Sequence, residues 1–143
     1  MIVVDTNTVA YYLIQGERTA EAREVWRKDP DWIVPRLWRH EFLNILALYA
    51  QQDGLSVEQC REVWIRSQEL LGNREHEPDM LGAFDIAVEH TISAYDAEFI
   101  TLAKQHGVRC VTSDTALLRK FPEIALSMSD FVADAGNQKL TTN

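Results

Sequence analysis

The 143-residue chain is poor in several things, and each shortage excludes something. Cysteine occurs only at Cys60 and Cys110, too few for a disulfide scaffold and with no metal-type spacing, so both read as buried, reduced thiols. No apolar run approaches the roughly 20 residues that a membrane span needs. No basic start or small-residue cleavage pattern leads into the chain, so a secretory leader is not expected and a cytoplasmic home is. Positive charge is scarce: 14 Lys and Arg stand against 22 Asp and Glu, a net charge of −8. A nonspecific nucleic-acid binder usually shows a basic surface, so the overall charge argues against that role. It leaves room for carboxylates gathered at a cation site, where a bound metal reverses the local sign.

What is present is ordinary for a globular protein: 46% apolar and 25% charged residues. No repeat, low-complexity stretch or linker divides the chain. One domain over residues 1–134 is expected, followed by a polar, disordered tail over 135–143. Ile2-Val3-Val4 reads as a buried strand, and Asp5-Thr6-Asn7-Thr8 are all residues that favour helix N-caps. Helices are expected from Val9 to near Gly16 and over Thr19–Lys28, then a strand over Trp32–Val34 closed by Pro35. A long helix from Leu37 to Gln52 has Gly54 at its C-terminal cap, and Ser56 with Gln59 opens the next helix, to Leu71, as a capping box. Arg74–Pro78 are compatible with a weak edge strand. Helices over Asp79–His90 and Ser93–His106, a strand over Val108–Thr112, a short helix after Ser113-Asp114, a last strand over Ile124–Met128 and a helix over Ser129–Ala133 complete the reading. Strands alternating with helices argue for a parallel sheet covered on both faces, with its ligand site at the carboxyl ends of the strands.

Four acids occupy informative places. Asp5 and Asp114 each follow a strand directly, although each taken alone reads more simply as a helix N-cap. Glu41 lies three residues after Trp38 and four before Ile45, beside an apolar stripe of Trp38, Phe42, Ile45 and Tyr49. Asp96 stands at i−3, i−4 and i−7 from Phe99, Ile100 and Ala103. An acid on a buried helix face is costly unless its charge is compensated. Arg39 and Lys104 are the nearby basic candidates in sequence, and a metal ion is the alternative. Hard cations such as Mg²⁺ and Mn²⁺ want oxygen ligands. His40, His76, His90 and His106 are scattered and form no zinc-type cluster; His40 projects about 100° from Glu41 on a helix.

These residues match a known pattern. The sequence resembles the PIN-domain nucleases, and within them the VapC-type toxins of bacterial toxin–antitoxin pairs, over the whole ordered chain. The matching pieces are Ile2-Val3-Val4-Asp5-Thr6-Asn7, then Arg39-His40-Glu41-Phe42-Leu43-Asn44-Ile45-Leu46, then Ser93-Ala94-Tyr95-Asp96-Ala97, then Thr112-Ser113-Asp114. The resemblance implies a three-layer α/β/α sandwich around a parallel sheet of about five strands. It implies that Asp5, Glu41, Asp96 and Asp114 bind Mg²⁺ or Mn²⁺ and hydrolyse RNA phosphodiester bonds. Asn7 matches a position that supports the first acid, and Thr112, with Ser113 beside it, one that supports the last. A small antitoxin partner and a homodimer are implied as well.

Arg36 and Arg39 flank Glu41 and are candidates for phosphate contact, as Trp38 is for stacking on a base. Solvation of the helix and core packing explain them more simply. Other classes fit less well. A haloacid-dehalogenase-type phosphatase wants an acid where Asn7 stands, and a receiver domain wants an acidic pair after the first strand and a Lys after its last. A non-catalytic binding module is expected to have lost the acids. A free-standing RNA-processing nuclease remains the alternative to a toxin.

Overall fold

A computed structural model describes residues 1–134; the expected tail, residues 135–143, lies outside the described residues. The order is β1 (Ile2–Val4), α1 (Thr6–Leu13), α2 (Thr19–Lys28), β2 (Trp32–Ile33), α3 (Trp38–Gln51), α4 (Val57–Leu71), α5 (Met80–His90), α6 (Ala94–His106), β3 (Cys110–Val111), α7 (Thr115–Lys120), β4 (Ala125–Leu126) and α8 (Met128–Ala133). The strands form one parallel sheet in the order β2-β1-β3-β4.

Strand residues alternate between two cores, as the period of two requires. Ile2, Val4, Trp32, Val34, Val111 and Leu126 join one core with α1–α4 and α8. Val3, Ile33, Cys110 and Ala125 join the other with α5–α7. The expected α/β/α sandwich results, with helices on both faces of a sheet buried on both sides. None of the described helices is long and apolar enough to cross a membrane.

The sheet has four strands among the described residues, where about five were expected. The fifth place is reduced to one parallel bridge, Val34 to Glu75, with Val34 N–H donating to Arg74 O at 3.1 Å and His76 N–H to Val34 O at 2.9 Å. Pro35 follows Val34 at once and Pro78 closes the other segment, and proline has no N–H to continue a ladder. β1 spans Ile2–Val4 as expected, whereas β2, β3 and β4 are shorter than the strands expected over Trp32–Val34, Val108–Thr112 and Ile124–Met128. Ser127, expected inside the last strand, instead caps α8 by accepting the Asp130 N–H at 3.1 Å.

On α3 the buried row is Trp38, Phe42 and Leu46. Ile45 is half-buried and Tyr49 is 39% exposed, so the expected stripe is rotated at its C-terminal end. The cause is α4, which packs along α3 and brings Cys60 to within 3.5 Å of the Leu46 carbonyl. After α3 the left-handed residue is Asp53, with φ 58°, rather than Gly54. The Ser56–Gln59 capping box forms as expected. Gly107, with φ 64°, ends α6 in the left-handed conformation that only glycine adopts without penalty.

Candidate active site

The chain leaves β1 toward β2 on one side and later returns to β3 on the other. The crevice between the carboxyl ends of β1 and β3 is therefore the topological switch point of the sheet, the usual place for a ligand in such folds. Asp5 and Thr112 extend those two strands by one residue each. Their N–H groups continue the ladder, to Val111 O at 3.1 Å and to Leu126 O at 3.0 Å.

The Asp5 carboxylate is held from both sides. Its Oδ1 caps α1, accepting the N–H of Thr8 at 2.8 Å and the Thr8 hydroxyl at 2.6 Å. Its Oδ2 accepts the Thr112 hydroxyl at 2.7 Å and the Ser113 N–H at 3.3 Å. Asp114 caps α7 through Oδ1, which accepts from Ala116 N at 2.8 Å and Leu117 N at 3.1 Å. Both acids are thus N-caps, and in each the cap occupies one carboxylate oxygen while the residue also lines the cleft.

The other two acids arrive from opposite helix layers. Glu41, in the first turn of α3, accepts the Thr6 hydroxyl on Oε1 at 2.7 Å. Asp96, in the first turn of α6, donates its N–H to the N-cap oxygen of Ser93 at 3.0 Å. Asp5, Glu41, Asp96 and Asp114 line one cleft of about 280 Å³, whose floor includes the buried side chains of Phe99 and Leu117.

Among the described residues no cationic side chain lines this cleft. Arg39, the compensating candidate on α3, is engaged elsewhere. Its Nε and a terminal nitrogen hold the two oxygens of Glu75 at 2.5 and 2.7 Å, and Trp38 Nε1 donates to the same carboxylate at 2.8 Å. Lys104 is exposed on α6 and does not line the cleft. The Glu41 carboxyl consequently holds its proton above the ordinary range. Burial is the largest cause, opposed by the Thr6 hydrogen bond and reinforced by the charges of Asp96, Asp5 and Glu98. Asp96 is raised too, by burial and by the charges of Asp114 and Asp5.

The donor set suits a hard divalent cation: several carboxylates, no thiolate or imidazole, and uncompensated negative charge. Among the described residues no three such side chains already stand close enough to hold a metal ion as they are.

Several expectations change in detail. Asn7 lines the cleft but makes no side-chain hydrogen bond among the described residues; Thr8 supports Asp5 in its place. Thr112 supports Asp5 through its hydroxyl, and the same oxygen accepts the Asp114 N–H at 3.0 Å, so it serves both acids. Ser113 contributes its backbone to Asp5. Trp38 is fully buried and unavailable to a base, whereas Arg36 is exposed. Thr6, Asn44 and Glu98 were not singled out from sequence. Thr6 and Asn44 are near neighbours of motif acids, but the contact of Thr6 spans 35 residues and leaves no local signal.

The family model described as PIN domain matches residues 2–123. Ribonuclease VapC3 of Pyrobaculum aerophilum is 25% identical over 127 residues, 86% of this chain and 96% of that protein. In fold the chain is similar to PAE2754 from Pyrobaculum aerophilum, with TM-score 0.74, 18% identity and coverage of 92% of this chain and 93% of that one. It is similar also to a toxin–antitoxin complex from Klebsiella pneumoniae, with TM-score 0.65, 14% identity and coverage of 90% and 98%. FitAcB from Neisseria gonorrhoeae aligns with TM-score 0.66, 19% identity and coverage of 90% and 99%.

Proposed function

This chain belongs to the PIN-domain family, and on that footing we propose that it is a Mg²⁺- or Mn²⁺-dependent endoribonuclease, the toxin of a type II toxin–antitoxin pair. The observation that carries the reading is the convergence of four carboxylates from two strand ends and two opposite helix layers on one cleft that, among the described residues, no cationic side chain lines. Similarity to a ribonuclease of Pyrobaculum aerophilum supports RNA as substrate, and the Klebsiella toxin–antitoxin complex supports a small antitoxin partner. A homodimer is part of the reading, supported by an exposed apolar stripe of Leu81, Phe84 and Val88 on α5.

In this reading residues 1–134 form one nuclease domain in which Asp5, Glu41, Asp96 and Asp114 hold the cation. When bound, Mg²⁺ or Mn²⁺ supplies Lewis-acid polarisation of the scissile phosphate and makes a nearby water more acidic. The chain does the rest. Asp5 is pre-set by Thr8, Thr112 and Ser113, so little order has to be gained on binding. Glu41 and Asp96 face the cleft from the first turns of α3 and α6, and either is suited to orient the attacking water. Thr6 holds Glu41 for that role. No side-chain nucleophile takes part.

The test is RNA cleavage by the purified protein with millimolar Mn²⁺ and with a chelator. Cleavage only with the cation is expected. Equal cleavage in excess chelator, or none under either condition, refutes the reading.

A further inference from the structure

The cleft is unbalanced in hydrogen-bonding chemistry. Its four carboxylates are acceptors only when ionised. Its two hydroxyls are spent: Thr6 donates to Glu41 at 2.7 Å and Thr112 to Asp5 at 2.7 Å. Among the described residues no Lys, Arg or His lines it. The remaining polar side chains among those residues are two amides, Asn7 on α1 and Asn44 on α3. Both are exposed, and neither makes a side-chain hydrogen bond among the described residues. Asn44 stands at i+3 from Glu41, so the two share a face of α3. Asn7 belongs to the first turn of α1, two residues after Asp5.

A nucleic-acid backbone presents acceptors at every phosphate, and it is positioned by protein donors. An anion entering this cleft meets four acids and, among the described residues, finds side-chain N–H donors at two places, Asn7 and Asn44. An amide also accepts, which suits the 2′-hydroxyl of ribose.

From the ribonuclease reading above and these two uncommitted amides, we infer that Asn7 and Asn44 are the substrate-binding residues of the cleft, donating to the RNA sugar–phosphate backbone beside the carboxylates. Their neutrality matters. They grip an anion without neutralising the carboxylates, so the negative charge of the cleft stays available to a cation. The resemblance implies support of Asp5 for Asn7; the hydrogen bonds to Asp5 Oδ1 come from Thr8, and the Asn7 amide stays uncommitted.

The test is steady-state cleavage of a fluorescent oligoribonucleotide with Mn²⁺ by the full chain and by Asn7→Ala, Asn44→Ala and Asn44→Asp. Mn²⁺ affinity is measured on the same samples by calorimetry without RNA. Each alanine variant is expected to raise KM about 10- to 150-fold, the equivalent of one hydrogen bond to a charged group. Melting temperature and Mn²⁺ affinity are expected to stay at the wild-type value in the alanine variants. Asn44→Asp, which replaces donors by charge, is expected to raise KM further, and Asn44→Gln, assayed alongside, to recover part of the loss. Unchanged KM in both alanine variants, with the wild type active, overturns this inference and leaves the ribonuclease reading standing. A loss of Mn²⁺ affinity matching the loss of activity overturns it too, because the amides then belong to the cation site. A wild type that binds Mn²⁺ yet cuts no RNA removes the ribonuclease reading, and this inference with it.

Discussion

Thr112 donates its hydroxyl to Oδ2 of Asp5 across 2.7 Å, from the strand beside the one that Asp5 ends. The same oxygen accepts the N–H of Asp114 at 3.0 Å. One fully buried side chain therefore sets the orientation of the first acid and the entry to the last.

Thr112→Val keeps the shape of that side chain and removes its hydrogen bonds. A destabilisation of about 1–3 kcal/mol is expected from urea unfolding, because Asp5 loses a donor and the Asp114 N–H loses its acceptor. Mn²⁺ affinity is expected to fall roughly 10- to 100-fold, the usual effect of removing a group that orients a metal ligand. Thr112→Ser, which retains the hydroxyl, is expected to recover most of both.

Thr6 and Glu41 are coupled across 35 residues by a single 2.7 Å contact, so their substitutions should not be additive. In a cycle of Thr6→Val, Glu41→Ala and the double variant, a coupling energy of about 0.5–3 kcal/mol in unfolding free energy is expected. Additivity within about 0.3 kcal/mol contradicts the contact.

Two glutamates carry opposite pH signatures. Glu41 has a raised folded pKa, chiefly from burial. Its contribution to stability is present below the ordinary glutamate pKa and is lost as pH rises through the folded value. In chelator at pH 7, Glu41→Gln is therefore expected to melt above the wild type by a few degrees; the variant retains an acceptor for Thr6. Mn²⁺ is expected to reverse that order, because it stabilises the intact site. Differential scanning fluorimetry with and without Mn²⁺ distinguishes the two.

Glu75 is lowered, first by its hydrogen bond from Arg39. Its contribution is present above the ordinary pKa and lost as pH falls through the folded value. Glu75→Ala leaves the fully buried Trp38 without its Nε1 partner, and a cost of about 1–3 kcal/mol at pH 7 is expected, shrinking toward acid pH. Equilibrium urea unfolding at several pH values measures it.

The pieces legible in the sequence were those with local signals. Ile2-Val3-Val4 before Asp5 identifies a buried strand with an acid at its end, and helical spacing places Glu41 and Asp96 at the edge of buried faces. Periodicity identifies a face without saying what covers it. Spacing alone therefore carries the α3 row on to Tyr49, whereas α4 covers Leu46 instead. The same limit hid Glu75, which takes Arg39 away from the cleft, and Thr6, whose partner is known only once α1 and α3 pack. Among the described residues the fifth strand is reduced to one bridge for a local reason: Pro35 follows one bridge partner and Pro78 ends the segment of the other.

The most direct measurement is RNA cleavage by Asp5→Asn at equal Mn²⁺. Asparagine is a good N-cap, so α1 and the fold are retained while one charge is lost. Activity is expected to drop by at least about 100-fold, since an outer supporting partner alone is worth 10- to 100-fold. An Asp5→Asn protein that folds, binds Mn²⁺ and cuts RNA at the wild-type rate contradicts the four-carboxylate site.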